Sequence, residues 1–327
     1  MDDIESILRE VLPALSEWGV EVGSAELASH SENIVFKITA KDGVRYALRV
    51  HRPGYHTLAE LESERMWTDA LLEYGMKVPK AYATTNGQYY VGVNCGGVVR
   101  QVGLIGWLEG RSVAVASEHL GMAEISLVTV EAAGAICAQF HNQATAWHPP
   151  SGFCRPHLNL NGLVGEQPFW GRFWDLPVLT TREKRIIDGV RLDVADRLRD
   201  YGEPARTYSM IHADMHHENL FLAEDGLMVI DFDDSAFGWH QYDLAVILFA
   251  HSGRPDYQAI RSALLAGYRT HRELSDDDLS LLPMFIMIRT LALIGWANDR
   301  PELDTSDYHR YLTDKACRES AMGAFQS

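Results

Sequence analysis

The spacing of apolar residues changes character near residue 106, and that change sets the fold class. Before it the apolar runs are short, β-rich and punctuated by turns. Ile34-Val35-Phe36-Lys37-Ile38 and Val44-Arg45-Tyr46-Ala47-Leu48-Arg49-Val50 flank Lys41-Asp42-Gly43. Asp-Gly between two such runs is a strong hairpin signal, because both residues tolerate the positive φ that a tight turn requires. Asn86-Gly87 marks a second hairpin, and Val98 to Ile105 reads as a further strand. Residues 4–18 and 58–73 instead carry helical spacing, the second run stopping near Gly75. Beyond Gly106-Trp107-Leu108-Glu109-Gly110 the helical period dominates, over 124–144, 182–201, 242–250, 257–270 and 279–298. An irregular, aromatic-rich stretch runs from Phe153 to Trp174. The pattern predicts an α+β fold: a small antiparallel-sheet lobe with one long helix over 1–105, and a larger helical lobe over 106–327.

Charge and composition narrow the function classes. The net charge of −16 argues against a nucleic-acid binder, since a phosphate backbone calls for a basic face. The four cysteines are far apart with no Cys-x-x-Cys, which suggests neither a zinc knuckle nor a disulfide framework and fits a reducing cytoplasm. The first residues are acidic where a signal peptide would be basic. The most apolar late stretch, Pro283 to Ala297, carries Arg289 and reads as too short to span a bilayer. The expectation is a cytoplasmic protein with neither a nucleic-acid nor a membrane partner; oligomeric state is not legible.

The chemistry concentrates in residues 208–233. Two apolar runs, Leu220 to Leu222 and Leu227 to Ile230, bracket Glu224-Asp225-Gly226 and predict a hairpin. If the turn centres on Asp225, Asn219 and Asp231 oppose each other at the open end, with Cα atoms about 4.5–5.5 Å apart. An amide oxygen and a carboxylate at one point suit a hard divalent cation such as Mg²⁺, which takes oxygen ligands and shares them with phosphates. Asp214, five residues before Asn219, is placed to orient a hydroxyl and accept its proton. Metal-held phosphates, a positioned acceptor and a base are the parts phosphoryl transfer needs. A rival reading takes His212, Asp214, His216 and His217 as metal ligands, because His-x-Asp-x-His-His resembles the ligand spacing of dinuclear zinc hydrolases. That reading leaves Asn219 and Asp231 without roles.

His212-x-Asp214-x-x-x-x-Asn219 followed by Asp231 resembles the aminoglycoside phosphotransferase and choline kinase superfamily, small-molecule relatives of the protein kinases, over nearly the whole chain. The resemblance implies a two-lobed protein-kinase-like fold whose lobes close over ATP. It makes Asp214 the catalytic base and Asn219 and Asp231 the Mg²⁺ ligands, with His212 holding the catalytic loop. Asp243 matches a position that braces this loop by accepting backbone N–H bonds, and Asp233 either a support behind the metal segment or a substrate contact. In the first lobe, His30-Ser31-Glu32-Asn33 matches the phosphate-covering loop, so Ser31 and Asn33 are expected near phosphate. Arg49 stands where the family usually has its ATP-binding lysine; it keeps the charge and can grip phosphate oxygens with two N–H groups. Its partner is expected at Glu64, with Glu60 the alternative. Leu104-Ile105-Gly106-Trp107 matches the hinge, where backbone groups of Leu104 and Gly106 would meet adenine. The run Met287 to Trp296 resembles the late helix of the branch containing type II homoserine kinases and a bacterial stress-response kinase. Arg289 and Trp296 on it are expected to line the acceptor pocket. The implied activity is transfer of the ATP γ-phosphate to a hydroxyl of an amino alcohol, amino acid or aminoglycoside-like compound. A Ser/Thr protein kinase on the same fold and a pseudokinase without turnover are the alternatives.

Overall fold

The computed structural model describes residues 4–30, 33–114, 126–224, 226–300 and 305–323. The chain divides into two compact units. The first comprises Met1–Gly110, Pro149–Cys154 and Ala223–Asp233, and the second Arg111–His148, Arg155–Leu222 and Asp234–Ser327.

Helix α1 (Ile4–Val11) opens the first unit and passes into a 3-10 turn over Leu12–Trp18. The single helix expected over 4–18 is therefore tightened in its second half. Pro13 is the physical reason: it has no N–H for an α-helical bond, and it sits at the start of the 3-10 segment. Strands β1 (Val22–His30), β2 (Ile34–Ala40), β3 (Arg45–Val50), β4 (Tyr90–Cys95) and β5 (Val98–Gly106) form an antiparallel sheet of order β1-β2-β3-β5-β4. Along β2, Ile34, Phe36, Ile38 and Ala40 are buried, the period-2 pattern of a strand with one face on the core. They pack with Leu48, Val50, Val102 and Leu104, and with Ile7, Val11 and Leu15 from the N-terminal helix and turn. Gly43 turns the β2–β3 hairpin at φ 87°, and Asp42 Oδ1 accepts the Val44 N–H at 3.0 Å.

The hairpin expected at Asn86-Gly87 is only a turn. Thr84 closes it by taking the Gln88 N–H at 3.0 Å on its hydroxyl. The actual second hairpin joins β4 to β5 through Gly96 and Gly97, both at positive φ, with Cys95 opposite Val98. Helix α2 (Leu58–Glu73) has the predicted bounds. A Thr57/Glu60 capping box starts it, each side chain accepting the other residue's backbone N–H.

In the second unit, β6 (Arg111–Ser112) pairs with β9 (Leu220–Ala223). The helices are α3 (Leu127–Ala146), α4 (Leu160–Val164), α5 (Thr181–Tyr201), α6 (His240–Phe249), α7 (Tyr257–Arg269), α8 (Asp276–Ser280), α9 (Leu282–Asn298) and α10 (Ser306–Ala321). Residues 124 and 125, expected to begin the helix that is observed from Leu127, lie outside the described residues. Helices α3 and α7 cross closely because each contributes a glycine. A Cβ at Gly134 would strike the Leu264 carbonyl, and one at Gly267 the Glu131 carbonyl. Strand β11 (Ala236–Trp239) runs antiparallel to β8 (Tyr208–Ile211) and parallel to β7 (His157–Leu158). The hairpin of β9 and β10 (Gly226–Val229) forms as expected; Asp225, its predicted centre, lies outside the described residues.

Helix α9 corrects one expectation. The helix predicted over 279–298 is broken at Leu281, where Pro283 starts a new first turn. The longer stretch Asp276–Asn298, which contains Pro283 to Ala297, has the length and apolarity of a membrane span. Its most apolar window is 72% buried inside the fold, which marks it as a core helix. Gly295 lets the aromatic segment approach: a Cβ there would strike the Trp170 carbonyl oxygen. Trp170, Phe173 and Trp174 are all buried, so this run packs.

Candidate active site

Strand β8 delivers the chain into the segment beginning at His212, and the backbone turns sharply there. Ala213 has φ 66°, a left-handed conformation that costs a non-glycine residue about 1–2 kcal/mol. Asp243, in the first turn of α6 and fully buried, holds that turn in place. Its Oδ2 accepts the His212 N–H at 3.0 Å and its Oδ1 the Ala213 N–H at 2.7 Å. His141 Nε2 lies 3.1 Å from Asp243 Oδ2, and His141 Nδ1 lies 2.9 Å from the Tyr268 hydroxyl. Burial lowers the His141 pKa against the pull of Asp243. The bracing role expected for Asp243 is thus present as geometry.

The braced loop presents Asp214, whose side chain is 21% exposed. Arg289 of α9 donates from Nη2 to Asp214 Oδ1 at 2.6 Å. Asn219 Nδ2 donates to Asp214 Oδ2 at 3.0 Å and to the Asp214 carbonyl at 2.9 Å. His216 Nε2 lies 3.2 Å from Asp214 Oδ2. Burial works to raise the Asp214 carboxyl, but His216 and Arg289 outweigh it and hold it well below the usual carboxylate range. Burial lowers the His216 imidazole, but Asp214 outweighs it and the net shift is upward. Asp214 is therefore an ionised, oriented carboxylate with one face open. Because Nδ2 makes the Asn219 contacts, Oδ1 is left as the atom that can meet a cation, which suits a hard metal.

The first unit carries its own charged cluster. Arg49 on β3 donates to Glu64 of α2 at 2.6 Å, both side chains nearly buried. Glu60, the alternative partner, is committed to the α2 cap. Arg49 Nη2 also lies 3.5 Å from Asp231 Oδ1 and 3.3 Å from Asp233 Oδ1. Asp231 has φ 63°; with Ala213 it makes up the non-glycine positive-φ set among the described residues. Its side chain is 44% exposed, whereas that of Asp233 is 8% exposed. Asp233, expected as an acceptor contact, faces inward to Arg49, with His51 Nδ1 at 3.8 Å and His56 Nε2 at 3.7 Å. The cation that replaces the usual lysine is thus neutralised by three carboxylates, and the sequence signalled only one of them.

Other expected residues sit differently. Ser31 lies outside the described residues. Asn33 is buried, and its Oδ1 accepts the Arg52 N–H at 3.0 Å, so its side chain fastens the strand ends. The Leu104 carbonyl accepts the Tyr82 N–H at 2.9 Å, and the Gly106 N–H donates to the Lys80 carbonyl at 2.9 Å. Both of these backbone groups are paired within the first unit. Trp296 is partly exposed, with the Arg300 guanidinium 4.7 Å from its ring centroid. The zinc-hydrolase rival fails on geometry. Among the described residues the ligand atoms that cluster within 4.8 Å are those of Cys137, His141 and Asp243, not the histidines of 212–217. In that loop His212 Nδ1 takes the Asp214 N–H and His216 Nδ1 the Glu218 N–H, each at 3.3 Å.

The model of the phosphotransferase enzyme family matches residues 25–276. The chain belongs to that family. It has the kinase-like fold of a sheet-rich N-terminal region and a helical C-terminal region. The solved microcompartment-associated aminopropanol kinase is 28% identical with TM-score 0.78, covering 94% of this chain and 93% of that one. An amicoumacin kinase solved in complex with AMP-PNP, Ca²⁺ and Ami has TM-score 0.79 at 18% identity, covering 97% of this chain and 94% of that one. A homoserine kinase from Sinorhizobium fredii is 28% identical over 192 residues, 55% of each chain.

Proposed function

We propose that this protein transfers the γ-phosphate of ATP to the hydroxyl of a small molecule, with Mg²⁺ as the companion ion. The observation that carries the reading is the state of Asp214: ionised, held by Arg289 and Asn219, and still partly open. In that role Asp214 accepts the proton as the acceptor oxygen bonds to phosphorus and the bond from phosphorus to the ADP oxygen breaks. By the sequence motif, Asn219 Oδ1 and the Asp231 carboxylate are the hard oxygens that would hold the cation, which would supply charge neutralisation for the phosphates. Arg49, fixed by Glu64, is assigned to the phosphates. Ser31 is assigned to the loop over them, and Trp296 to the acceptor side. A small acceptor is favoured over a protein because similar proteins are named for aminopropanol, homoserine and amicoumacin.

Thermal shift with ATP–Mg²⁺, followed by ADP release across a panel of small hydroxylated amines and amino acids, tests the reading. A shift with ATP and turnover with one class of acceptor is expected. Absence of any shift with ATP–Mg²⁺ or GTP–Mg²⁺ would sink it.

A further inference from the structure

Behind Asp214 lies a group of buried hydrogen-bond donors that the phosphotransfer reading leaves unused. Arg289 spends Nη2 on Asp214, while its Nε has no hydrogen-bond partner among the described residues. A guanidinium offers five N–H donors in a fixed plane, so one carboxylate oxygen does not exhaust it. Tyr242, fully buried in the first turn of α6, lies against the same guanidinium. Its hydroxyl faces that guanidinium, and no hydrogen bond of full geometry engages it among the described residues. The Trp170 ring stacks on the Tyr242 ring at 6.4 Å and 12°, is 5% exposed, and has an unpartnered Nε1–H. Leaving a buried polar group unpaired is costly, so three such groups are a poor arrangement for packing alone.

We propose that Arg289 and Tyr242, walled by Trp170, form an oxyanion subsite beside Asp214, and that the acceptor carries a carboxylate as well as its reacting hydroxyl. This rests on the phosphotransfer reading. The Arg289 and Trp170 groups are donors only, and the Tyr242 phenol can donate beside the Asp214 and Asp234 carboxylates. A carboxylate brings two acceptor oxygens matched to a guanidinium edge, and the phenol adds a third donor. Burial pushes the Tyr242 hydroxyl up to about 12, so it remains a donor at neutral pH. The Arg289 side chain is 9% exposed and that of Asp214 21%. A carboxylate arriving there shares or takes over the guanidinium edge that Asp214 uses. The hydroxyl of the same molecule is then delivered to the freed side of Asp214. A neutral or purely cationic amino alcohol has nothing to place on Arg289.

The test uses matched acceptors that differ only by the carboxylate: L-homoserine against 3-amino-1-propanol, L-serine against ethanolamine, and glycerate against ethylene glycol. ADP release is followed with ATP–Mg²⁺ for the wild type and for Tyr242→Phe, which keeps the ring and removes one donor. The proposal expects the carboxylated member of at least one pair to be used with kcat/KM tenfold or more above its counterpart. It also expects Tyr242→Phe to shrink that ratio at least threefold, through KM. Equal use of both members, preference for the decarboxylated ones, or a ratio unmoved by Tyr242→Phe overturns it. So does use of no pair, in which case a thermal shift with ATP–Mg²⁺ leaves phosphotransfer itself standing.

Discussion

Arg289 and Asp214 stand 75 residues apart in the chain and meet at 2.6 Å. The contact gives a core helix a direct hold on the loop that carries the proposed base. Replacing Arg289 with Gln keeps an N–H donor on a shorter side chain and removes the charge. Asp214 is partly solvated, so the loss is set below that of a fully buried pair, at roughly 1–3 kcal/mol. Thermal denaturation of Arg289→Gln is expected to show this drop together with a raised acceptor KM. A variant as stable as the wild type would mean that the pair holds nothing.

Arg49 makes a harsher prediction. It is 11% exposed and neutralises Glu64, at 5% exposure, together with Asp233. Removing it in Arg49→Ala strands two nearly buried carboxylates at a cost of about 3–5 kcal/mol. Arg49→Lys keeps the charge but not the two-pronged geometry. It is expected to fold and to bind ATP more weakly, measured by titration of the thermal shift. Tighter ATP binding in Arg49→Lys would show that arginine is a compromise at this position.

Asp278 sets an acid limit on stability. Burial works to raise this carboxyl, and hydrogen bonds from Arg206, Ser275 and Tyr201 outweigh it and bring its pKa to about 2. A carboxylate depressed in the folded state contributes stability above its unfolded pKa, about 3.9, and loses it as pH falls through the folded value. The melting temperature is therefore expected to fall between pH 4 and pH 2, and the slope to be shallower in Asp278→Asn. That variant should also lose about 1 kcal/mol at neutral pH through the weakened cap of α8. Parallel pH profiles for the two proteins would contradict this assignment.

The sequence and the structure agree where signals are local. Asp42-Gly43 makes its hairpin because Gly43 takes the positive φ. Helix α2 starts and stops where Thr57, Glu60 and Gly75 say it should, because a capping box and a left-handed glycine act within one turn. Two misses were also local: Pro13 and Pro283 reshape helix starts that apolar periodicity alone runs through. Asn86-Gly87 made the turn but not the hairpin, since strand pairing is decided by β5, which already has β3 on one side and takes β4 on the other. At the site, Asp214, Asn219 and Asp231 were legible as an ordered motif. The contacts of Arg289 with Asp214 and of Asp233 with Arg49 span 75 and 184 residues, and no local pattern carries them. The left-handed backbone at Ala213 was equally hidden, because alanine rarely takes a positive φ; Asp231 is of a type that takes it more readily, but no turn signal marked the position. His216 enters the sequence reading only as a rival metal ligand, and only the structure places its imidazole 3.2 Å from Asp214 Oδ2.

The central claim is that Asp214 is the base of a phosphoryl transfer. The direct measurement is ADP release by Asp214→Ala with the best acceptor of the panel, alongside ATP–Mg²⁺ affinity by thermal shift. General-base catalysis contributes about 10²–10⁴-fold, so kcat is expected to fall by that factor with nucleotide binding retained. A variant that turns over as fast as the wild type would contradict the account.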